Sequence, residues 1–546
     1  MFGVKRLDLY LGLVLSGLTL AQFALFLPNN HIVSDIWDYW TFQETGISLL
    51  FQPTTRPLTH SLFWAAWSIS PHSWDLLNLL HVLVMALKAV ATYWFVAQLL
   101  TRPAALLAGA LILVVPASFG VYSMWTLNVN LFLTLLVIAL ASLVWISHSF
   151  RLTGAVLLVV ALAYSLLSYE MGWPLALLGP AVLLISGPGR SKRRALALWY
   201  GTLAVVAIIL GVILLIARSH SAPSDTGVHF IRASGLFDLS LETLPASIAG
   251  LLNAYRIHLI GVFEEATAYL VRSLRSPLVQ MSIASGVVVG ATLLALTWRR
   301  ARQSPAAKWT RAALLGLLYI GLAYAPITIT LLRTDRFHEF IYSSFGAALF
   351  FAAVLCGLHA WLSQKFGAVR LWSIGLAIVS ALLMSLFTFR SLDLTLAIIS
   401  NASAQKQFLE SIVLQLPDPQ PGSAFVIFDT GRRLYQLFEQ RPDRIGYALG
   451  TVYEDHDFPV FVCEADNTSD GFASVCEVRE DGIYVWGPQE ESPRAFPLDE
   501  AAVFSAVVTD AGLRAVADQI GLGVAGDGDL PRRIGMLQTT PLPQRQ

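Results

Sequence analysis

Eleven apolar windows recur along the first 390 residues of this chain, and no other feature narrows its fold as far. A helix needs about 20 apolar residues to cross about 30 Å of hydrocarbon. The windows fall near Leu7–Leu27, Trp74–Leu100, Pro103–Phe119, Asn128–Ser147, Leu152–Ser168, Gly172–Gly187, Ala195–Ala217, Leu278–Trp298, Thr310–Leu331, Ile341–Leu362 and Leu371–Arg390. Only 13% of the 546 residues are charged, against roughly a quarter in soluble domains. The expected fold is mainly α, a polytopic transmembrane bundle of about eleven spans. Leu7–Leu27 is too long for the ~7–15-residue core of a signal peptide and lacks a clear small-x-small site, so it reads as a span that stays.

The charges sort by side. Connections on one face carry Lys5, Arg6, Arg102, Arg151, Arg190, Lys192, Arg193, Arg194, Arg299, Arg300, Arg302, Lys308, Arg311, Lys365 and Arg370, with no acid between them; Asp8 lies just inside the first window. Connections on the other face hold Asp35, Asp38, Glu44, Glu170, Asp225, Asp238, Glu242, Glu264, Glu265, Asp335 and Glu339. Lys and Arg favour cytoplasmic loops. The N-terminus is therefore expected in the cytoplasm of a multi-pass plasma (inner) membrane protein, with the chain beyond the eleventh span outside. A net charge of +0 gives no reason to expect a nucleic-acid partner.

Two domains are expected. Residues 1–395 form the membrane part, with large outer loops at 28–73 and 218–277; the second half of the latter reads as an amphipathic helix on the membrane surface. Residues 400–546 read as a small extracytoplasmic α/β domain. There, SAFVIFDT is a strand, GRRLYQLFEQR a helix, FPVFVCEA and ASVCEVREDGIYVWG strands, and AAVFSAVVTDAGLRAVAD a strand followed by a helix. The strands around the turn-rich DNTSDG would form a hairpin, stapled by Cys463–Cys476 in an oxidising compartment. Cys356 falls inside an apolar window.

Four polar features stand at the mouths of spans on the acidic side. Asp35 and Asp38, at i and i+3, share one face of a helix. A carboxylate in a partly desolvated cleft can take the proton of an attacking hydroxyl; the plainer reading is a solvated acidic face. Arg333, Asp335, Arg336, His338 and Glu339 crowd the loop before Ile341, where an Arg fork would hold a phosphate or simply pair with acids and headgroups. Glu170, beside Tyr169 and Trp173, must face a cavity or partner, or sit among headgroups. Asn78 and His81 open the second span after Arg56-Pro57-Leu58, and a lone His there is commonly a packing residue. A divalent metal would find its ligands in Asp35, Asp38 and His31, a weak spacing. Among the spans, Lys88 is the main candidate for a buried charge.

Taken in order, these features resemble the polytopic GT-C glycosyltransferases, and among them the bacterial relatives of the tetratricopeptide-containing O-mannosyltransferases. The elements that carry the resemblance are Asp35, Arg56-Pro57-Leu58, Asn78-Leu79-Leu80-His81, Ser168-Tyr169-Glu170 and Asp335-Arg336-Phe337 with Tyr342-Ser343. The resemblance implies inverting transfer of a sugar from a polyprenyl-phosphate donor to an extracytoplasmic glycan, lipid or protein acceptor. It implies Asp35 or Asp38 as base, and Arg336 near the donor phosphate. The remaining residues of such a site would be His338, Arg333, Arg56, Glu170 and His81. The chain departs from the family in its separated acidic pair, in Tyr169 where the family has Lys, and in lacking tetratricopeptide helices. The rival reading is a non-catalytic or transport protein that handles lipid-linked sugars or polysaccharide on the same scaffold.

Overall fold

A computed structural model gives the structure of the chain. It describes residues 6–23, 50, 56–70, 75–115, 126–169, 172–187, 189–220, 244–261, 263, 270–271, 274–298, 305–328, 340–415, 424–429, 444–453, 459–464, 475–479, 482–486, 494–496, 501–509 and 512–519. These divide into two compact units, one within Met1–Leu27 and Leu50–Leu396, the other within Ala397–Gln544.

The first unit is helical. In order come α1 (Arg6–Phe23), α2 (Ser61–Ile69), α3 (Asp75–Leu99), α4 (Arg102–Leu111), α5 (Leu127–His148), α6 (Leu152–Ser168), and α7 (Gly172–Leu178), which tightens into a 3-10 turn at Gly179–Leu184. Then follow α8 (Lys192–His220), α9 (Leu244–Arg256) with a π turn at Ile257–Gly261, α10 (Pro277–Thr297), α11 (Ala306–Thr328), α12 (Phe340–Phe366) and α13 (Val369–Gln415), whose residues from Ala397 on belong to the second unit. Every apolar window coincides with one of these helices. Among the described residues, α3, α5, α8, α10, α12 and α13 are long and apolar enough to cross a membrane; α4, α6 and Gly172–Leu184 are shorter apolar helices. This is a multi-pass membrane protein of mainly α class. α5 is its axis: 83% of its most apolar stretch is buried, against 22% for α8, whose outward Val205, Ile208, Val212 and Leu215 suit contact with lipid tails.

Lipid tails are as apolar as leucine, so burial alone does not hold spans together; close backbone approach and interhelical hydrogen bonds do. Gly316 of α11 and Gly346 of α12 face each other so closely that a Cβ on Gly346 would stand 2.5 Å from the Gly316 carbonyl oxygen and 2.7 Å from Ile320 N. Arg102 grips Asp8 through both carboxylate oxygens, at 2.6 and 2.9 Å, and Tyr93 Oη donates to the same carboxylate at 2.7 Å. The one acid near the basic connections thus ties α1 to α3 and α4. The 218–277 segment is not only a surface helix: Tyr255 of α9 donates to Leu317 O of α11 at 2.9 Å, anchoring it on the bundle.

The second unit holds β1 (Ala424–Asp429), α14 (Arg444–Tyr453), β2 (Val460–Glu464), β3 (Val475–Arg479), β4 (Gly482–Trp486), β5 (Arg494–Phe496), β6 (Ala501–Thr509) and β7 (Gly512–Gln519). One sheet has the order β2-β1-β6-β7, with β1 parallel to both neighbours; the other is the antiparallel β3-β4-β5. β1 is central, and Phe425, Val426 and Ile427 are fully buried, as a continuous apolar run in a parallel sheet requires. Two expectations are corrected. GLRAVADQ is not a helix but β7, paired with β6 from Ala502↔Gln519 to Thr509↔Gly512; ladder hydrogen bonds outweigh the weak helical preference of Ala, Leu and Arg. The strands flanking DNTSDG do not form a hairpin, since β2 joins the first sheet and β3 pairs with β4. Cys463 is disulfide-bonded and Cys356 is a buried free thiol. GRRLYQLFEQR lies outside the described residues.

Gly346→Val is expected to cost about 1–3 kcal/mol through overpacking, seen as a lower melting temperature in detergent. Gly12→Val, where a Cβ meets nothing within 4 Å, should leave the melt unchanged.

Candidate functional site

The C-terminal carbonyls of a helix have no partner within it and take one from outside. At the end of α6 the partners come from the Arg-Pro-Leu element: Leu58 N–H donates to Leu167 O at 3.2 Å, and the Thr59 hydroxyl donates to Ser168 O. The Ser61 hydroxyl, which also contacts Tyr164 Oη, donates to Leu58 O at 2.7 Å and closes the turn into α2. This pinning sets Arg56 over the ring of Tyr169, 3.9 Å from guanidinium carbon to centroid. Tyr169 is stacked on Tyr342 of α12 at 5.2 Å and 25°, and on Phe132 of α5 at 6.2 Å and 29°. Tyr169 and Tyr342 are 4% and 1% exposed. Stacking engages the flat face of a guanidinium and leaves its N–H edges for carboxylate or phosphate oxygens. Three sequence elements far apart in the chain, Arg56-Pro57-Leu58, Ser168-Tyr169 and Tyr342, therefore meet at one place.

A second polar cluster lies between α3 and α5. Asn78, His81, Lys88 and Thr92 form a stripe at helical spacing on α3, and Thr126, Asn130 and Thr134 face it at i, i+4, i+8; all seven are buried. Lys88 Nζ donates to Asn130 Oδ1 at 2.8 Å, and Asn130 Nδ2 lies 3.3 Å from both His81 Nε2 and Thr126 Oγ1. Such groups inside hydrocarbon must be paired across helices. At 1.5 Å per residue, Asn130 stands about 27 Å from His148 at the far end of α5, and Tyr169 about 27 Å from Arg151 before α6. The two clusters thus share a depth, close to one hydrocarbon thickness from the basic side.

Of the residues expected in the site, Arg56 and His81 are placed, in these two clusters on different sides of α5. Asp35, Asp38, Glu170, Arg333, Arg336 and His338 lie outside the described residues, as does His31. Among the described residues no three of His, Cys, Asp or Glu stand together as metal ligands. Asn130 and the stacking role of Tyr169 were not anticipated. The signal for Asn130 was available, as the i, i+4, i+8 polar stripe inside an otherwise apolar span.

No family model and no curated protein matches the chain. Among solved structures, it is similar to ArnT from Cupriavidus metallidurans in the apo state, at 13% identity and TM-score 0.47 over 96% of this chain and 100% of that one. It is also similar to the same protein bound to undecaprenyl phosphate, at 12% identity and TM-score 0.45 over 92% and 97%. A third is the apo oligosaccharyltransferase of Archaeoglobus fulgidus, at 14% identity and TM-score 0.39 over 84% and 65%. At TM-scores below 0.5 these likenesses carry no part of the functional reading.

Tyr169→Leu removes the ring under Arg56 and two aromatic stacks, and should destabilise the protein by about 2 kcal/mol or more. Tyr169→Phe keeps the ring and should be destabilised less than Tyr169→Leu. An equal melt for both would show that the stack contributes nothing.

Proposed function

We propose that this protein is a GT-C-like inverting glycosyltransferase that moves a sugar from a polyprenyl-phosphate donor to a hydroxyl of an extracytoplasmic glycan, lipid or protein. The observation that carries the reading is the meeting of Arg56, Tyr169 and Tyr342: elements selected in the sequence for their order come together around one stacked guanidinium. The depth of both clusters, near the acidic ends of α5 and α6, supports a substrate site approached from the acidic side. The segregation of basic residues supports a cytoplasmic N-terminus, eleven crossings of the inner membrane, and a C-terminal unit outside with a Cys463–Cys476 disulfide.

In this reaction Asp35 or Asp38 accepts the proton of the acceptor hydroxyl as its oxygen attacks the anomeric carbon. The bond from that carbon to the donor phosphate oxygen breaks, and polyprenyl phosphate leaves with the electron pair. Arg336, with Arg333 and His338, stabilises the charge that develops on the leaving phosphate, which is worth most in a site that excludes water. Arg56, braced on Tyr169, would contribute to binding the donor phosphate. Glu170 follows Tyr169 directly and would face the cleft, and His81 would hydrogen-bond the substrate. A divalent metal, where used, would be held by Asp35, Asp38 and His31 and would polarise the phosphate.

Asp35→Asn and Asp38→Asn, assayed separately in membranes supplied with polyprenyl-phosphate sugar, should split: one should lose about 10²–10⁴-fold in transfer, the range for general-base catalysis. Full activity in both would sink the mechanism. Arg56→Gln should lower transfer by about tenfold or more. A thiol-reactive label that does not cross membranes should reach single cysteines engineered in the C-terminal unit of intact cells; labelling only after lysis would refute the proposed topology.

A further inference from the structure

The hydrogen bonds between α3 and α5 determine which nitrogen of His81 carries its proton. Lys88, His81, Asn130 and Thr126 are all fully buried. An ammonium has three donors and no acceptor, so the group facing Lys88 Nζ at 2.8 Å must be the amide oxygen of Asn130. The choice between oxygen and nitrogen in an amide is fixed by such a network. The amide nitrogen then faces the other way, 3.3 Å from His81 Nε2 and 3.3 Å from Thr126 Oγ1. That NH₂ group only donates. Nε2 therefore accepts, and a neutral imidazole that accepts at Nε2 carries its proton on Nδ1.

We propose that Lys88 and Asn130 are positioning residues that lock His81 as the neutral Nδ1–H tautomer, so that His81 serves the site as a hydrogen-bond donor through Nδ1 and not as a base through Nε2. The tautomer stands on geometry alone; its part in sugar transfer rests on the glycosyltransferase reading. Each helix contributes one half of the device. α5 supplies the amide, which Thr126 steadies from the preceding turn. α3 supplies both the imidazole and, two turns further on, the amine that orients the amide. The reverse arrangement, with the amide nitrogen toward Lys88, needs a neutral amine that accepts, a Thr126 hydroxyl that donates, and a proton on His81 Nε2.

The test is ¹⁵N NMR of histidine-labelled protein in bilayers without any sugar donor, the His81 signals being assigned by their loss in His81→Gln among the 11 histidines. Wild type should show an unprotonated, imine-type Nε2 and a protonated Nδ1. Asn130→Asp keeps an acceptor for Lys88, so the bundle retains its buried partner. Its second carboxylate oxygen should draw the proton to Nε2, with a loss of about tenfold or more in transfer. Lys88→Gln, whose amide can donate or accept, and Lys88→Met should each give a mixture. A protonated Nε2 in wild type, or unchanged signals in Asn130→Asp, would overturn the proposal. Absence of transfer by wild type would overturn the glycosyltransferase reading and leave the tautomer assignment standing.

Discussion

A polar atom carried into hydrocarbon has to find a partner in its own helix or on another, and in this protein several of the bonds between helices converge on α5. Asn130 takes the ammonium of Lys88 and faces His81 on α3. Phe132 O accepts from Ser165 of α6 at 3.0 Å, and Ala141 O accepts from Gln98 of α3 at 3.2 Å. With no water to compete, each such bond has only a poorly solvated alternative, although measured values in membranes stay near 1 kcal/mol because the separated helices also find partners. The bonds therefore act mainly by fixing rotation. They set the face of α3 that carries Asn78 and His81, and the face of α6 that ends at Tyr169.

The helices were legible because the membrane imposes a length on an apolar run, and each window overlaps a helix, although the last of them continues well past its window to Gln415. Where windows were short, the outcome was less regular. Pro103–Phe119 is helical to Leu111 and leaves the helix over 112–115, the last of its described residues, and Gly172–Gly187 changes to a tighter turn where Gly179-Pro180 begin. In the C-terminal unit β1, β2, β3, β4 and β6 were legible, whereas the short β5, the helix α14 and β7 were not. The β7 sequence GLRAVADQ has no decisive period, and its pairing with β6 is a tertiary fact. The same holds for β2 and β3: Cys463 and Cys476 are near in sequence, but the sheet each strand joins depends on β1 and β4, which lie elsewhere in the chain.

The site was legible as residue types and not as geometry. Tyr169 shows the difference. From sequence it counted as a loss, since the resembling family has a lysine there. In the structure it is the surface on which Arg56 rests, so the cation stands at this spot but comes from another segment. A lysine at 169 would place a second positive charge beside Arg56, with the repulsion that implies at low dielectric. Arginine on tyrosine keeps one delocalised charge and directs its donors edgewise.

The buried lysine bears on the choice between catalysis and transport. Carriers bind ions near the membrane centre with broken helices, whose unwound ends supply free backbone groups. Lys88 has the depth for such a role but not the setting. α3 runs unbroken from Asp75 to Leu99 through it, the Thr92 hydroxyl donates back to Lys88 O at 2.8 Å within that helix, and Nζ donates to Asn130. A charge that must bind and release a cargo cannot also be the fixed donor of an interhelical network. Lys88 is better understood as part of the frame that holds His81 in place.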